Sequence, residues 1–195
     1  MSPPEAPAGV AHAGRRPRAD AARNRAALLD AARATLAAGE RLTLDAVARA
    51  AGLGIGTLYR HFPTREDLVA AVYVAELDAA LDAAAPLREE LPPADALRAW
   101  LHRYAAFIAT KYDLAESMRA GALAGAAQAA RTRERVVAVV GAFLRDGEAA
   151  GSLRPGLDAG DVTAAVVGVF LVTRDVPDGA QVHRLLDLLV DGLLA

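Results

Sequence analysis

Residues 44–62 read LDAVARAAGLGIGTLYRHF. A short apolar run, Leu44, Val47 and Ala48, closes on the step Ala51-Gly52-Leu53, and a second run starts near Ile55 and reaches Phe62 just before Pro63. Two helices joined by a tight turn need a small residue where they cross and, four positions later, a residue tolerant of positive φ. They also need an apolar residue of the second helix that packs back. Ala48, Gly52 and Leu58 supply these at that spacing, and Thr43 stands ahead of the first run as an N-cap does. The stretch therefore predicts a helix-turn-helix, with Leu58 and Phe62 in the core and Tyr59, Arg60 and His61 on the second helix.

Upstream, Ala22, Leu29, Ala32 and Leu36 predict a helix over 20–38, stopped by Gly39 and carrying Arg23, Arg25 and Arg33. Residues 1–19 hold Pro3, Pro4, Pro7, Gly9, Gly14 and Pro17, too little apolar surface for a core, and are expected to be a flexible arm with Arg15, Arg16 and Arg18. Downstream, Thr64, Glu66 and Asp67 open a helix over 65–84, and Pro92-Pro93 opens the next. On that one Leu97, Leu101, Tyr104 and Ile108 share a stripe widened by Trp100 and Phe107. An alanine-rich stretch over 114–130, with Gly121 and Gly125 inside it, is expected to be a kinked or split helix. Further helices are expected over 132–150, 161–173 and 182–194. On the last, Val182, Leu185, Leu186, Leu189, Val190 and Leu193 recur at helical spacing. The expectation is an all-α chain of about nine helices, with a DNA-binding domain over 20–66 and a helical bundle over 67–195.

Composition narrows the chemistry. Of 195 residues 54% are hydrophobic and 5% aromatic, enough for a core built mainly on alanine and leucine. The net charge of −2 is uneven: residues 1–70 carry +3 and residues 71–195 carry −5, a basic module ahead of an acidic one. The absence of cysteine excludes a disulfide scaffold, a thiolate metal site and a cysteine nucleophile. His12, His61, His102 and His183 are scattered, with no His-Glu-x-x-His or Glu-x-x-His, and none of Ser2, Ser117 or Ser152 sits in a Gly-x-Ser-x-Gly elbow. Gly52-x-Gly54-x-Gly56 follows no strand pattern and reads as a turn, not a phosphate loop. No enzyme, metal or cofactor is expected. The longest apolar stretch, Ala164 to Val172, is about half of the roughly 20 residues a membrane span needs, and the first residues lack the apolar run of an export signal. No membrane partner is expected, and the expected location is the cytoplasm.

Leu28-Leu29-Asp30-Ala31-Ala32, Leu36, Gly39, Thr43, Val47-Ala48, Ala51-Gly52-Leu53 and Gly56-Thr57-Leu58-Tyr59-Arg60-His61-Phe62 occur in order, followed by Arg65-Glu66-Asp67-Leu68. This resembles the amino-terminal domain of the TetR family of transcriptional regulators over residues 20–70; beyond them only helix number and length match. The resemblance implies a homodimer on a palindromic operator in double-stranded DNA, acting most commonly as a repressor released by a small-molecule effector. Alternatives are an activator of the same family, or a helical carrier or interaction protein that has lost DNA binding, against which Tyr59, His61 and Arg65 speak. By resemblance, the Thr43 hydroxyl caps its helix and meets a phosphate. Tyr59 and His61 meet phosphate or a thymine methyl, Thr57 and Arg60 meet phosphate or base edges, and Arg65 meets a phosphate. Relatives often open the recognition helix with a polar residue; here Gly54 and Ile55 stand there. Ile55 can touch a thymine methyl but cannot hydrogen-bond a base, while Gly54 and Gly56 permit close backbone approach. The arm arginines are either minor-groove contacts or part of a solubilising tail.

For the bundle, the resemblance implies an effector pocket, for which Tyr73, Trp100, Tyr104, Phe107 and Met118 are the candidates, plain core packing being the alternative. His102 and Arg103 fall off the apolar stripe and are expected in solvent. The last two helices carry more apolar surface than one small domain buries. Val166, Val167, Phe170, Leu185, Leu186, Leu189 and Val190 are therefore expected at a two-fold interface, with Asp187 and Asp191 at its rim.

Overall fold

The computed structural model describes residues 16–117, 126–173 and 179–195. The described residues form α1 (Arg16–Ala37), α2 (Leu44–Ala50), α3 (Ile55–His61), α4 (Arg65–Asp82), α5 (Ala84–Glu90), α6 (Pro93–Ser117), α7 (Ala126–Ala149), α8 (Ala159–Val172) and α9 (Gly179–Asp191). Extended pairing among them is limited to an isolated bridge between Leu153 and Leu194, and the chain is all-α as expected. It divides into two compact units, Met1–Arg65 and Glu66–Ala195. No helix of the described residues is long and apolar enough to cross a membrane.

In the first unit α2 packs on both α1 and α3. Leu28, Leu29 and Ala32 from α1, Leu42, Val47 and Ala48 around α2, and Leu58 and Phe62 around α3 are buried. Helix α1 starts at Arg16, not near residue 20, so the last residues of the expected arm are helical. Pro17 is no obstacle there, because the N–H groups of a first turn have no intrahelical acceptor. Arg15 lies outside the described residues.

The second unit is arranged around α6, which packs on α5, α7 and α9, while α8 joins α7 and α9. Leu97, Trp100, Leu101 and Tyr104 of α6 meet Val140 and Phe143 of α7, Val166 and Phe170 of α8, and Leu186 and Val190 of α9 in one core. The buried Trp100 indole is satisfied, its Nε1–H donating to the Ala80 carbonyl at 2.9 Å. Helix α5 is an addition to the sequence reading: Pro86, which reads as a breaker, occupies its first turn, where a missing N–H costs nothing. The helix expected over 114–130 is divided between its neighbours, residues 114–117 closing α6 and residues 126–130 opening α7; residues 118–125 lie outside the described ones.

Four of the residues expected at a dimer surface are interior to the single chain: Val166, Phe170, Leu186 and Val190 are buried in its own core. The stripe on α9 is taken up by α6 and α8 of the same chain. Leu185 and Leu189 are half-buried, and the outward apolar side chains are Val167, Leu171 and Val172 on α8 and Leu188 on α9. Asp187 and Asp191 are bound within the chain, Arg98 reaching them at 3.0 and 2.5 Å. His102 is half-buried rather than solvated; its Nε2 lies 2.9 Å from Asp187 Oδ1 and its ring meets His183 edge-on at 4.5 Å. Arg103 is exposed.

Two ion pairs fasten α7 to the helices before it: Arg135 with Asp78 at 2.7 Å and Arg88 with Asp146 at 2.6 Å. The hydrogen bond from the Arg88 guanidinium holds the Asp146 carboxyl below the usual carboxylate range. A carboxyl depressed in the folded state adds stability that is present above its unfolded pKa of about 4 and is lost as pH falls through the folded value. Both side chains are about a third exposed, so the contribution stays under about 1 kcal/mol. Asp146→Asn is expected to lower the urea midpoint more at pH 7 than at pH 3, because the wild-type carboxylate loses its advantage as pH falls below its unfolded pKa of about 4. An equal difference at both pH values would show that the pair does not act through charge.

Candidate nucleic-acid interface

The Thr43 backbone is extended at φ −120°, and its hydroxyl accepts from the Ala46 N–H at 3.3 Å, satisfying one of the donors left open at the start of α2. At the other end the Gly52 N–H donates to the Arg49 carbonyl and the Leu53 N–H to the Ala48 carbonyl, with Gly52 at φ +67°. This is a Schellman closure, and it turns the chain within two residues toward α3. A side chain at position 52 would meet no neighbour, so glycine is required by its backbone angle alone.

On α3, Leu58 is 0% exposed and sets the inward face. One turn holds 3.6 residues, so Ile55, Gly56, Tyr59 and Arg60 fall on the outer arc, and all four are exposed, Tyr59 by 51%. Thr57 and His61 are half-buried at its edge. Phe62 ends the helix inside the core, under the guanidinium of Arg25, which lies 5.4 Å from its ring centre. Gly54 and Gly56 have ordinary φ, and a Cβ on either would meet nothing within 4 Å. The fold of the chain does not require glycine at these two positions.

Arg65 is placed differently from a free phosphate-binding cation: it is half-buried and its Nε–H donates to the Leu42 carbonyl at 3.0 Å, bracing the loop that presents Thr43. Exposed arginines that the spacing does not single out stand at the two ends of α2, Arg41 two residues before the cap and Arg49 in the last turn. Of the arm and α1 cations, Arg23 pairs with Asp20.

In the second unit the four described pocket candidates come together as one aromatic cluster. Trp100 and Tyr104 stack at 5.2 Å and 18°, Tyr104 and Phe107 lie 5.5 Å apart, and Phe107 and Tyr73 5.7 Å apart. Phe143 joins Trp100 at 5.6 Å, and Phe170, read from sequence as an interface residue, joins Tyr104 at 5.9 Å. Met118 lies outside the described residues. No group of three or more His, Asp or Glu among the described residues is arranged to hold a metal ion.

A short helix set outward on a three-helix unit, with an exposed aromatic, a cation and a glycine on its outer arc and a second glycine at its N-cap, defines a helix-turn-helix DNA-binding protein. Residues 28–72 match the family described as bacterial regulatory proteins, tetR family, and residues 92–195 match the family described as transcriptional regulator SbtR-like, C-terminal domain. No curated protein matches the chain. Among solved structures it is similar to a TetR transcriptional regulator, SCO0520, from Streptomyces coelicolor, at 35% identity and TM-score 0.69, over 87% of this chain and 98% of that one. It is also similar to a TetR transcription regulatory protein from Mycobacterium vanbaalenii, at 32% identity and TM-score 0.69, over 91% and 99% of the two chains. A transcriptional regulator from Cytophaga hutchinsonii shares the fold at TM-score 0.73 and 16% identity, over 86% and 97%. The chain belongs to the TetR family of transcriptional regulators, which bind DNA and are not enzymes.

Since Gly52 adopts a left-handed conformation without steric crowding, Gly52→Ala is expected to destabilise the protein by about 1 to 2 kcal/mol. A denaturant titration checks this. A variant as stable as the wild type would mean that the turn readily takes another shape.

Proposed function

We propose that the protein is a repressor which, as a homodimer in the cytoplasm, occupies a palindromic operator and leaves it when a small molecule enters the C-terminal unit. The observation that carries the DNA-reading part is the outer arc of α3, where Ile55, Gly56, Tyr59 and Arg60 stay in solvent although two of them are large and apolar or aromatic. Tyr59 and His61 then serve as contacts to phosphate or a thymine methyl, and Arg60 and Thr57 as contacts to base edges or phosphate. Ile55 meets a thymine methyl, and the bare backbone at Gly54 and Gly56 lets α3 sit close to the groove floor. The cap leaves the Thr43 hydroxyl proton free to point at a phosphate. Arg65 contributes by positioning that loop.

The dimer is proposed to form through the outward faces of α8 and α9, where Leu171 is 63% and Val172 72% exposed beside Val167 and Leu188. Two-fold pairing of these faces buries side chains that a single chain leaves wet and sets two recognition helices for half-sites about 34 to 36 Å apart, or a multiple of that. Release by a small molecule is proposed from the family of the C-terminal unit, in whose core Tyr73, Trp100, Tyr104 and Phe107 are buried against one another.

A footprint on DNA flanking its own gene, followed by transcription with and without the protein, tests the repressor reading; increased transcription would make it an activator. Arg60→Ala is expected to cost about 1 to 3 kcal/mol of operator affinity if Arg60 reads a base. Tyr59→Ala should weaken binding without unfolding the protein. Gly56→Ala should fold as the wild type and still bind DNA more weakly. Unchanged dissociation constants for all three at fixed salt would remove α3 as the reading surface. Leu171→Asp should give a monomer in sedimentation that holds a single half-site weakly, and a variant that stays dimeric would move the interface elsewhere.

A further inference from the structure

The arginines of the first unit differ in what holds them. On α1, Arg23 pairs with Asp20 and Arg33 with Asp30, each along the helix at i,i+3 spacing. Arg65 donates to the Leu42 carbonyl. Arg25 is placed otherwise. Its neighbours along the same face of α1 are Ala21, Ala22, Leu28 and Leu29, so its own helix offers it no carboxylate. Among the described residues it makes neither an ion pair nor a hydrogen bond. Its guanidinium is nevertheless held, 5.4 Å from the centre of the buried Phe62 ring that closes α3. A long surface side chain ordinarily keeps its rotamer freedom. The ring restrains this one by its flat face and leaves the N–H donors at its edge open to solvent, where Arg25 is exposed.

Arg60 and His61 are the basic residues in the last turn of α3, directly before Phe62. The fold therefore sets Arg25, Arg60 and His61, drawn from two helices, at one end of the reading helix. A helix with its side chains is about 10 to 12 Å across, and the major groove is about 12 Å wide. A helix lying there fills the groove from one sugar–phosphate wall to the other. A cation that arrives from α1, outside the helix filling the groove, meets a wall and not a base edge.

We propose that Arg25 is a phosphate contact of the DNA-bound protein, its guanidinium held ready by Phe62. This rests on the reading of α3 as the helix in the groove. The planar fork presents paired donors to the phosphate oxygens while its face stays on the ring. Because the side chain is already restrained, less ordering is left to be done when DNA arrives.

Two duplexes test this, one selected by the wild-type protein from a random pool and one of random sequence. Arg25→Gln is expected to weaken binding to both by the same factor, about fivefold per protomer at about 0.15 M salt, and to lower the slope of log affinity against log salt by about 0.9 per protomer. Arg25→Lys keeps the charge and should keep the slope. A renewed selection with Arg25→Gln should return the same base preference as the wild type. The exposed position lets both variants fold, which circular dichroism checks. An unchanged slope in Arg25→Gln would overturn the proposal, and a lowered Tm beside it would leave Arg25 as a staple between α1 and α3. A loss confined to the selected duplex would overturn it as well, since Arg25 would then be reading a base. If Tyr59→Ala and Arg60→Ala weaken binding and Arg25→Gln does not, this proposal falls and the reading of α3 stands. If all three bind as the wild type does, both fall.

Discussion

A helix of seven residues has no stability of its own in water, since nucleation is unfavourable and isolated helices shorter than about 12 residues are marginal. α3 has that length, so its position is imposed from outside. Leu58 and Phe62 are buried beneath it, and the Gly52 turn delivers the chain to its first residue. Fixing the inward face fixes the outer arc as well, because Ile55, Gly56, Tyr59 and Arg60 are carried on the same rigid turn and a half. The proposed DNA-reading surface is on that account a by-product of core packing, with Leu58 as the buried residue that orients it.

The second unit divides its labour between core and surface in a similar way. Its stability comes from apolar burial around α6, with Trp100 and Phe143 among the largest fully buried side chains. The ion pairs of Arg88, Arg98 and Arg135 are partly exposed, which limits each to a small energetic contribution. Their geometry is nevertheless informative, because each spans two helices and fixes how one slides along the other. His102 belongs to this surface network and not to solvent, since Asp187 lies within hydrogen-bonding distance of it.

What was legible in the sequence follows from the range of the interactions. The helix-turn-helix depends on Ala48, Gly52 and Leu58, all within eleven consecutive positions, and its spacing is visible without a third dimension. Helix ends were harder to read: Pro17 and Pro86 look like breakers, and only their place in a first turn makes them harmless. The amphipathic stripe on α9 says that a face is covered but not by what. Leu186 and Val190 are covered by their own chain, leaving Leu188 outside. The Arg98–Asp187 and His102–Asp187 contacts join residues 89 and 85 positions apart, and the bond from Arg65 to the Leu42 carbonyl joins residues 23 apart. No local pattern marks such partners.

The composition of the outer arc bears on how a regulator of this kind tells one operator from another. It carries one guanidinium, one phenol, one aliphatic side chain and one glycine. Of these Arg60 alone can make the paired hydrogen bonds to a guanine edge that discriminate strongly in the major groove. On the proposed reading, Ile55 would discriminate only through a methyl contact, and Gly56 through how near the backbone comes. A surface with so few donors leaves much of the selection to the shape and deformability of the duplex, which backbone proximity senses directly. On the same reading, exposed cations such as Arg41 and Arg49 would add attraction to any duplex without preference, leaving specificity to a few atoms, among which the small residues Gly54 and Gly56 would weigh as heavily as the charged one.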